Sequence, residues 1–83
     1  MDQDRLKKLY QRLLDESYDN RLSITEFRAL RTHSYDNEKN EWIPDSYSVF
    51  ILIKDNNPEQ LRLTDIHTRL EGMIGYECIV DFA

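Results

Sequence analysis

The sequence predicts an α+β domain. Two N-terminal helices pack on a small two- or three-stranded sheet, and a third helix precedes the last strand, giving the order ααββαβ. Three observations predict it. Residues 3–18 repeat apolar side chains at helical spacing, Tyr47–Lys54 is dense in β-branched and aromatic residues, and a second helical stripe ending at a glycine is followed by strict alternation.

The first helix places Leu6, Leu9, Tyr10, Leu13 and Leu14 on one face, at i, i+3, i+4, i+7 and i+8. Its other face is charged. Asp4–Lys8 and Arg12–Glu16 are favourable i,i+4 pairs and Lys8–Arg12 is not, so pairing contributes only a few tenths of a kcal/mol. Burial of the stripe holds this helix. Ser17-Tyr18-Asp19-Asn20 then supplies turn formers.

A second helix is expected from Ser23. Ser23 and Glu26 have capping-box spacing, Leu22 and Phe27 that of a hydrophobic staple, and Ile24, Phe27 and Leu30 continue an apolar stripe to about Thr32 or His33. Ser-Tyr-Asp-Asn recurs at 34–37. The apolar positions upstream do not match those before 17–20, so the recurrence reads as two helix exits using one turn chemistry. Residues 1–35 thus form a helix pair, 36–45 a polar connection ending at Pro44, and 46–83 the sheet with the third helix. All of 1–83 is one domain.

In Tyr47–Lys54 both faces, Tyr47/Val49/Ile51/Ile53 and Ser48/Phe50/Leu52/Lys54, are largely apolar. That marks a central strand covered on two sides or wrapped by the helix pair. Residues 55–64 are ambiguous. Asn57, Pro58 and Gln60 suit a helix start, but Leu61 falls off the stripe of Leu63, Ile66, Leu70, Met73 and Ile74. The preferred reading is a turn at 55–59, a short strand at 60–63 and a helix from Thr64 or Asp65 to Gly75. Tyr76–Phe82 alternates Tyr76/Cys78/Val80/Phe82 against Glu77/Ile79/Asp81, a half-buried strand with an acidic outer face.

Charge is distributed unevenly. Residues 1–40 hold eight basic and eight acidic side chains, whereas 41–83 hold three and eight, so the net charge of −5 belongs to the second half. Such a half repels nucleic acid and membrane phosphates and attracts a basic surface. The longest strictly apolar run, Val49–Ile53, is far short of the roughly 20 residues of a membrane helix. A single cysteine, with no signal-peptide pattern at the start, fits a reducing cytoplasm.

Residues that could carry chemistry do not assemble into a set. His33, His67 and Cys78 lie in different elements with no ligand spacing, so no metal and no cofactor is expected. Asp36/Glu38/Asn40 and Asp55/Asn57/Glu59 resemble calcium loops only over their first positions, lacking the glycine at six and the glutamate at twelve. Cys78, His67 and Asp65 form a triad on paper. Yet Asp65 and His67, two apart on a helix, do not face each other, and Cys78 lies on an apolar strand face as an inert buried thiol. The expectation is a protein that is not an enzyme.

What remains is an acidic and aromatic surface. Glu38, Glu41, Trp42, Asp45 and Tyr47, with Glu77 and Asp81 beside them if the last strand pairs with Tyr47–Lys54, are the candidate interface. Tyrosine and tryptophan anchor interfaces because they bury large area while keeping a polar tip. The functional expectation is a small cytoplasmic protein-binding module of the inhibitor, immunity-protein, antitoxin or adaptor type, of bacterial or phage origin, whose partner is a protein with a basic surface. The alternatives are a structural homo-oligomer and a nucleic-acid regulator using Arg28 and Arg31, or an acidic nucleic-acid mimic.

Overall fold

The computed structural model describes residues 2–57 and 61–83. The order is α1 (Gln3–Tyr18), β1 (Leu22–Asp36), β2 (Glu41–Asp55), α2 (Leu63–Ile74) and β3 (Glu77–Phe82). The fold is α+β with a mixed three-stranded sheet, β1-β2-β3. β1 and β2 are antiparallel, and β3 is parallel to β2 after the α2 crossover. α1 packs over β1 and α2 over β3, and the core lies between this helix layer and one face of the sheet.

The first helix forms as its stripe requires. Leu6, Tyr10 and Leu14 are fully buried, Asp2 caps the start by accepting the Arg5 N–H at 2.9 Å, and Asp19 closes the end in the left-handed region.

The expected second helix is instead β1, and the arrangement ααββαβ with two N-terminal helices does not hold. The cause is a β-bulge. Ile24 pairs with Ile53 and Glu26 with Leu52, so Thr25 is an extra residue, and its hydroxyl donates to the Leu52 carbonyl at 3.1 Å. The bulge shifts the phase of the strand. Leu22 and Ile24 face the core before it, Phe27 and Ala29 after it, so the core-facing Ile24 and Phe27 are three apart and imitate a helical stripe. The third member of that stripe, Leu30, points away and is 61% exposed. Ile24, Thr25, Phe27 and Thr32 also favour strand over helix. Above all, the apolar row of β2 needs a hydrogen-bonding neighbour, and β1 supplies it through Ile24–Ile53, Phe27–Ile51 and Ala29–Val49.

Other expectations shift with this one. Residues 36–45 are not a long polar connection: a four-residue turn, Asn37–Asn40, closes a hairpin, and Trp42, Ile43 and Pro44 already belong to β2. The two Ser-Tyr-Asp-Asn segments leave one helix and one strand, not two helices. At the first, Asp19 and Asn20 take positive φ; at the second, Asp36 accepts the Glu38 and Lys39 N–H groups. β2 is central as expected, but only its Val49/Ile51/Ile53 face is covered by the helices. No strand forms at 61–63, because Leu63 already opens α2, and Leu61 packs on the core without pairing. The proposed turn and strand start at 58–60 lie outside the described residues. Gly75 ends α2 at φ 86°, a conformation that costs glycine nothing.

α1 also guards the free edge of β1. The Gln11 amide donates to the Leu22 carbonyl at 3.0 Å and accepts the Ile24 N–H at 2.9 Å, as a residue of a neighbouring parallel strand would. Gln3 donates to the Ala29 carbonyl at 3.3 Å, which sets the level at which α1 begins. Gln11→Ala leaves the Leu22 carbonyl and Ile24 N–H half-buried without this partner. It is expected to lower stability by about 1–3 kcal/mol in urea unfolding.

The open end of the hairpin is fastened by Arg21. Its Nε and Nη2 donate to the two Asp55 oxygens, each at 2.8 Å, and both side chains are largely buried. The Arg21 bonds hold the Asp55 carboxyl below its ordinary value, and the Asn57 N–H adds to this. Glu71 is lowered too, first by the Cys78 N–H and then by His67. A carboxylate lowered on folding stabilises above its unfolded pKa, and that contribution disappears as pH falls through the folded value. The urea midpoint is therefore expected to drop as pH falls below about 4. Asp55→Asn should start from a lower midpoint at neutral pH and lose less on acidification.

Candidate functional site

β3 pairs only with Ser48–Ile53, and α1 begins level with Ala29. The hairpin beyond the Arg31–Tyr47 pair therefore projects from the body as a two-stranded arm. The molecule measures 53 × 23 × 20 Å with a radius of gyration of 14.7 Å, against about 12 Å for a compact chain of this length. The arm accounts for the difference. No other described element packs on it. A lone hairpin is at best marginally stable in water, so the arm depends on its own cross-strand contacts.

Those contacts are specific. Tyr35 and Trp42 are directly opposite, with ring centroids 5.3 Å apart at 63°, an edge-to-face pair. Ser34 Oγ donates to Asp45 at 2.8 Å, and the Ser46 N–H donates to Thr32 Oγ1 at 3.1 Å, across an irregularity where two residues of β2 face one of β1. At the base, Arg31 lies 4.6 Å from the centre of the Tyr47 ring, which also meets Tyr76 at 5.1 Å. Yet Trp42 remains 68% exposed and Tyr35 45%. Asp36, Glu38, Glu41 and Asp45 share the arm with them, Asp36 and Glu41 on its opposite face, with Lys39 as the single basic side chain of the tip. Asp36 and Glu41 are directly opposite, a like-charge pair that weakens the hairpin.

The structure divides the expected interface in two. Glu38, Glu41, Trp42 and Asp45 share the arm. Tyr47 is half-buried at its base and packs on the core. Glu77 and Asp81 do lie beside β2, opposite Ser48 and Leu52, on the outer face of the sheet. Six residues of extended chain, roughly 20 Å, separate Trp42 from the Ser48–Glu77 pair. Tyr35 belongs with the arm and was not in the expected set. The signal for it is in the sequence: Tyr35 and Trp42 flank the polar tetrad 37–40 symmetrically.

The outer sheet face is a second feature that the sequence reading missed. Arg28, Phe50 and Ile79 form one row across the three strands, with Leu30 and Leu52 in the neighbouring rows. Phe50 is 40% and Ile79 54% exposed. Arg28 lies on this face, and Arg31 is engaged with Tyr47, so the two arginines lie on a strand and not on the second helix expected to carry them.

Of the reactive side chains, Cys78 sits in the core and His67 is partly exposed on α2. His67 Nε2 lies 2.8 Å from Glu71 Oε1, which also accepts the Cys78 N–H at 2.8 Å; Asp65 is not part of this set. Cys78 is 1% exposed, and burial, with the Glu71 charge adding, pushes its thiol up to about 12. A nucleophilic cysteine needs the opposite shift. Tyr10, fully buried beneath the sheet, has a hydroxyl with no hydrogen-bond partner among the described residues, and burial raises its phenol above the ordinary value. Tyr10→Phe removes this unpaired group while keeping the ring against Phe27, 5.6 Å away. The substitution is expected to leave stability unchanged or raise it by about 1 kcal/mol in thermal and urea unfolding. Among the described residues no three His, Cys, Asp or Glu side chains converge as metal ligands, and no helix is long and apolar enough to cross a membrane.

Comparison with known proteins adds no relative to this description: no protein-family model matches the chain, and no curated protein or solved structure matches it significantly.

Proposed function

We propose that this chain is a protein-binding module that acts by contact, through its hairpin arm, on a partner with a basic surface. The observation that carries the reading is the arm itself. It is a two-stranded projection with an exposed tryptophan–tyrosine pair on one face and the Asp36–Glu41 carboxylates on the other, and no other described element covers it. An isolated monomer gains little from holding Trp42 in water, whereas a complex gains the burial of a large anchor and four carboxylates that steer a basic partner. Inhibitors, immunity proteins, antitoxins and adaptors work in this way, by occupying a partner without transforming it.

The test is a comparative capture from lysate of the source cells. The intact chain, a Trp42→Ala/Glu41→Lys variant and an Ile79→Ser variant serve as baits. A partner held by the intact chain and by Ile79→Ser, and lost by the arm variant, supports the reading. A partner held equally by the arm variant overturns it.

A further inference from the structure

The sheet closes its free edges with its own side chains, except along one stretch. On β3 the outward N–H groups of Cys78 and Phe82 donate to Glu71 Oε1 and Asp81 Oδ1, each at 2.8 Å. On the arm part of β2 the outward position opposite His33 is Pro44, which has no N–H to offer. On β1, Gln11 holds the Leu22 carbonyl and the Ile24 N–H, and Gln3 holds the Ala29 carbonyl. These contacts also fix which residues face out. Outward groups alternate along an antiparallel strand, and the extra residue at the Arg31–His33 irregularity belongs to β2. The outward series of β1 therefore runs on from Ala29 through Arg31, His33 and Tyr35. No N–H or C=O of these three has a partner among the described residues. An open edge of this kind is satisfied regularly by another extended backbone.

The limits of the stretch set the register for a second copy. It is closed at Ala29 by Gln3 and ended by the turn after Asp36, so its centre is His33. A two-fold axis there, perpendicular to the sheet, pairs Arg31, His33 and Tyr35 with Tyr35, His33 and Arg31 of the other copy. Each pair exchanges both backbone hydrogen bonds, about six in all. Asp36 of the second copy then lies opposite Leu30, so its strand ends before the level at which α1 begins. The side chains agree with this register, and they name the occupant. Arg31 and Tyr35 alternate with the core-facing Ala29 and share its face of the strand. Within one copy, Arg31 lies on Tyr47, Tyr47 meets Tyr76, and Tyr35 meets Trp42. The register sets Arg31 of one copy directly beside the 45% exposed Tyr35 of the other. The two clusters join into a single row, Trp42–Tyr35–Arg31–Tyr47–Tyr76, formed twice about the axis.

We propose that the β1 edges of two copies pair antiparallel over Arg31–Tyr35, giving a closed two-fold dimer with one continuous sheet. Trp42 stays on the outer strand of the joined arms. The pairing is therefore separate from contact of the arm with a basic partner, and each holds or fails without the other.

Sedimentation over a dilution series is expected to show a monomer–dimer equilibrium. His33 is exposed, and its outward N–H is not used by its own hairpin. His33→Pro removes that N–H at the axis and should raise the dissociation constant about tenfold or more, whereas His33→Thr keeps the backbone and should leave it within about threefold. Cysteine cross-linking reads the register without a proline, and decides alone if His33→Pro does not fold. The native Cys78 is buried with its thiol pushed up to about 12, so it stays out of the exchange. His33→Cys meets itself across the axis with Cα atoms about 5.5 Å apart, within disulfide reach. Leu30→Cys, exposed on the same strand, meets its copy only about 20 Å further along. Oxidation should link His33→Cys at least about tenfold faster than Leu30→Cys. A monomer at every concentration overturns the proposal. So does a dimer that folded His33→Pro retains, or equal cross-linking of the two cysteine variants. A monomeric intact chain whose captured partner is lost on Trp42→Ala/Glu41→Lys overturns the dimer alone and leaves the arm as the binding element.

Discussion

Trp42→Ala is expected to weaken binding through the arm by about 30-fold or more, while barely moving the midpoint of global unfolding. The first part follows from exposure. A tryptophan 68% open to water in the free chain has most of its area left to bury, and such an anchor is worth about 2 kcal/mol or more in a complex. The second part follows from position. The substitution forfeits the edge-to-face contact with Tyr35, about 0.5–1.5 kcal/mol, but that loss falls on an arm that opens without the body. Isothermal titration calorimetry against the captured partner, beside urea unfolding followed by far-ultraviolet circular dichroism, separates the two effects. A loss of stability as large as the loss of binding would mean that the arm is part of the cooperative core and that its aromatics hold the fold.

Ile51→Ala should show the reverse pattern, a loss of about 2–5 kcal/mol of stability. Ile51 is fully buried at the middle of β2, between Phe27 on β1 and Val80 on β3, with the helix layer above it. The cavity opens where three strands and the helix layer meet, so the neighbours have little room to collapse into it. A domain of 83 residues has only about 4–12 kcal/mol in total, so the melting temperature should fall by about 10–30 °C. At the lower end of that stability the chain is substantially unfolded at 37 °C. Differential scanning calorimetry checks the value. A fall of only a few degrees would place the structural centre elsewhere than in the Val49–Ile51–Ile53 row.

The helices and the last strand were legible because each follows one period throughout. Leu6, Tyr10 and Leu14 keep helical spacing through α1, Ile66 and Leu70 keep it in α2, and Cys78 and Val80 alternate cleanly in β3. β1 was not legible, since the bulge at Thr25 inserts one residue into a period of two. The pattern that remains, with Ile24 and Phe27 three apart, is what a helix would show. Serine and glutamate at capping-box spacing completed the imitation. The candidate site suffered from the same error. With β1 read as a helix, Trp42 stood in a loop, and only strand pairing reveals that Tyr35 is opposite it and that both stand on a projecting arm.

The sequence by itself determined the α+β class, the burial of α1 by its leucine stripe, the left-handed close at Gly75, the buried Cys78 and the acidic and aromatic character of residues 36–47. All of these depend on local spacing or on the chemistry of single residues. Only the tertiary structure decided that Leu22–Asp36 is a strand, that the sheet covers one face and leaves Phe50 and Ile79 open, and that Trp42 and Glu77 lie on separate surfaces. Those outcomes depend on pairing between segments far apart in the chain. The apolar row of β2 must satisfy its backbone groups against a neighbour, and that long-range demand outweighs the local helix signals of Ser23–Leu30.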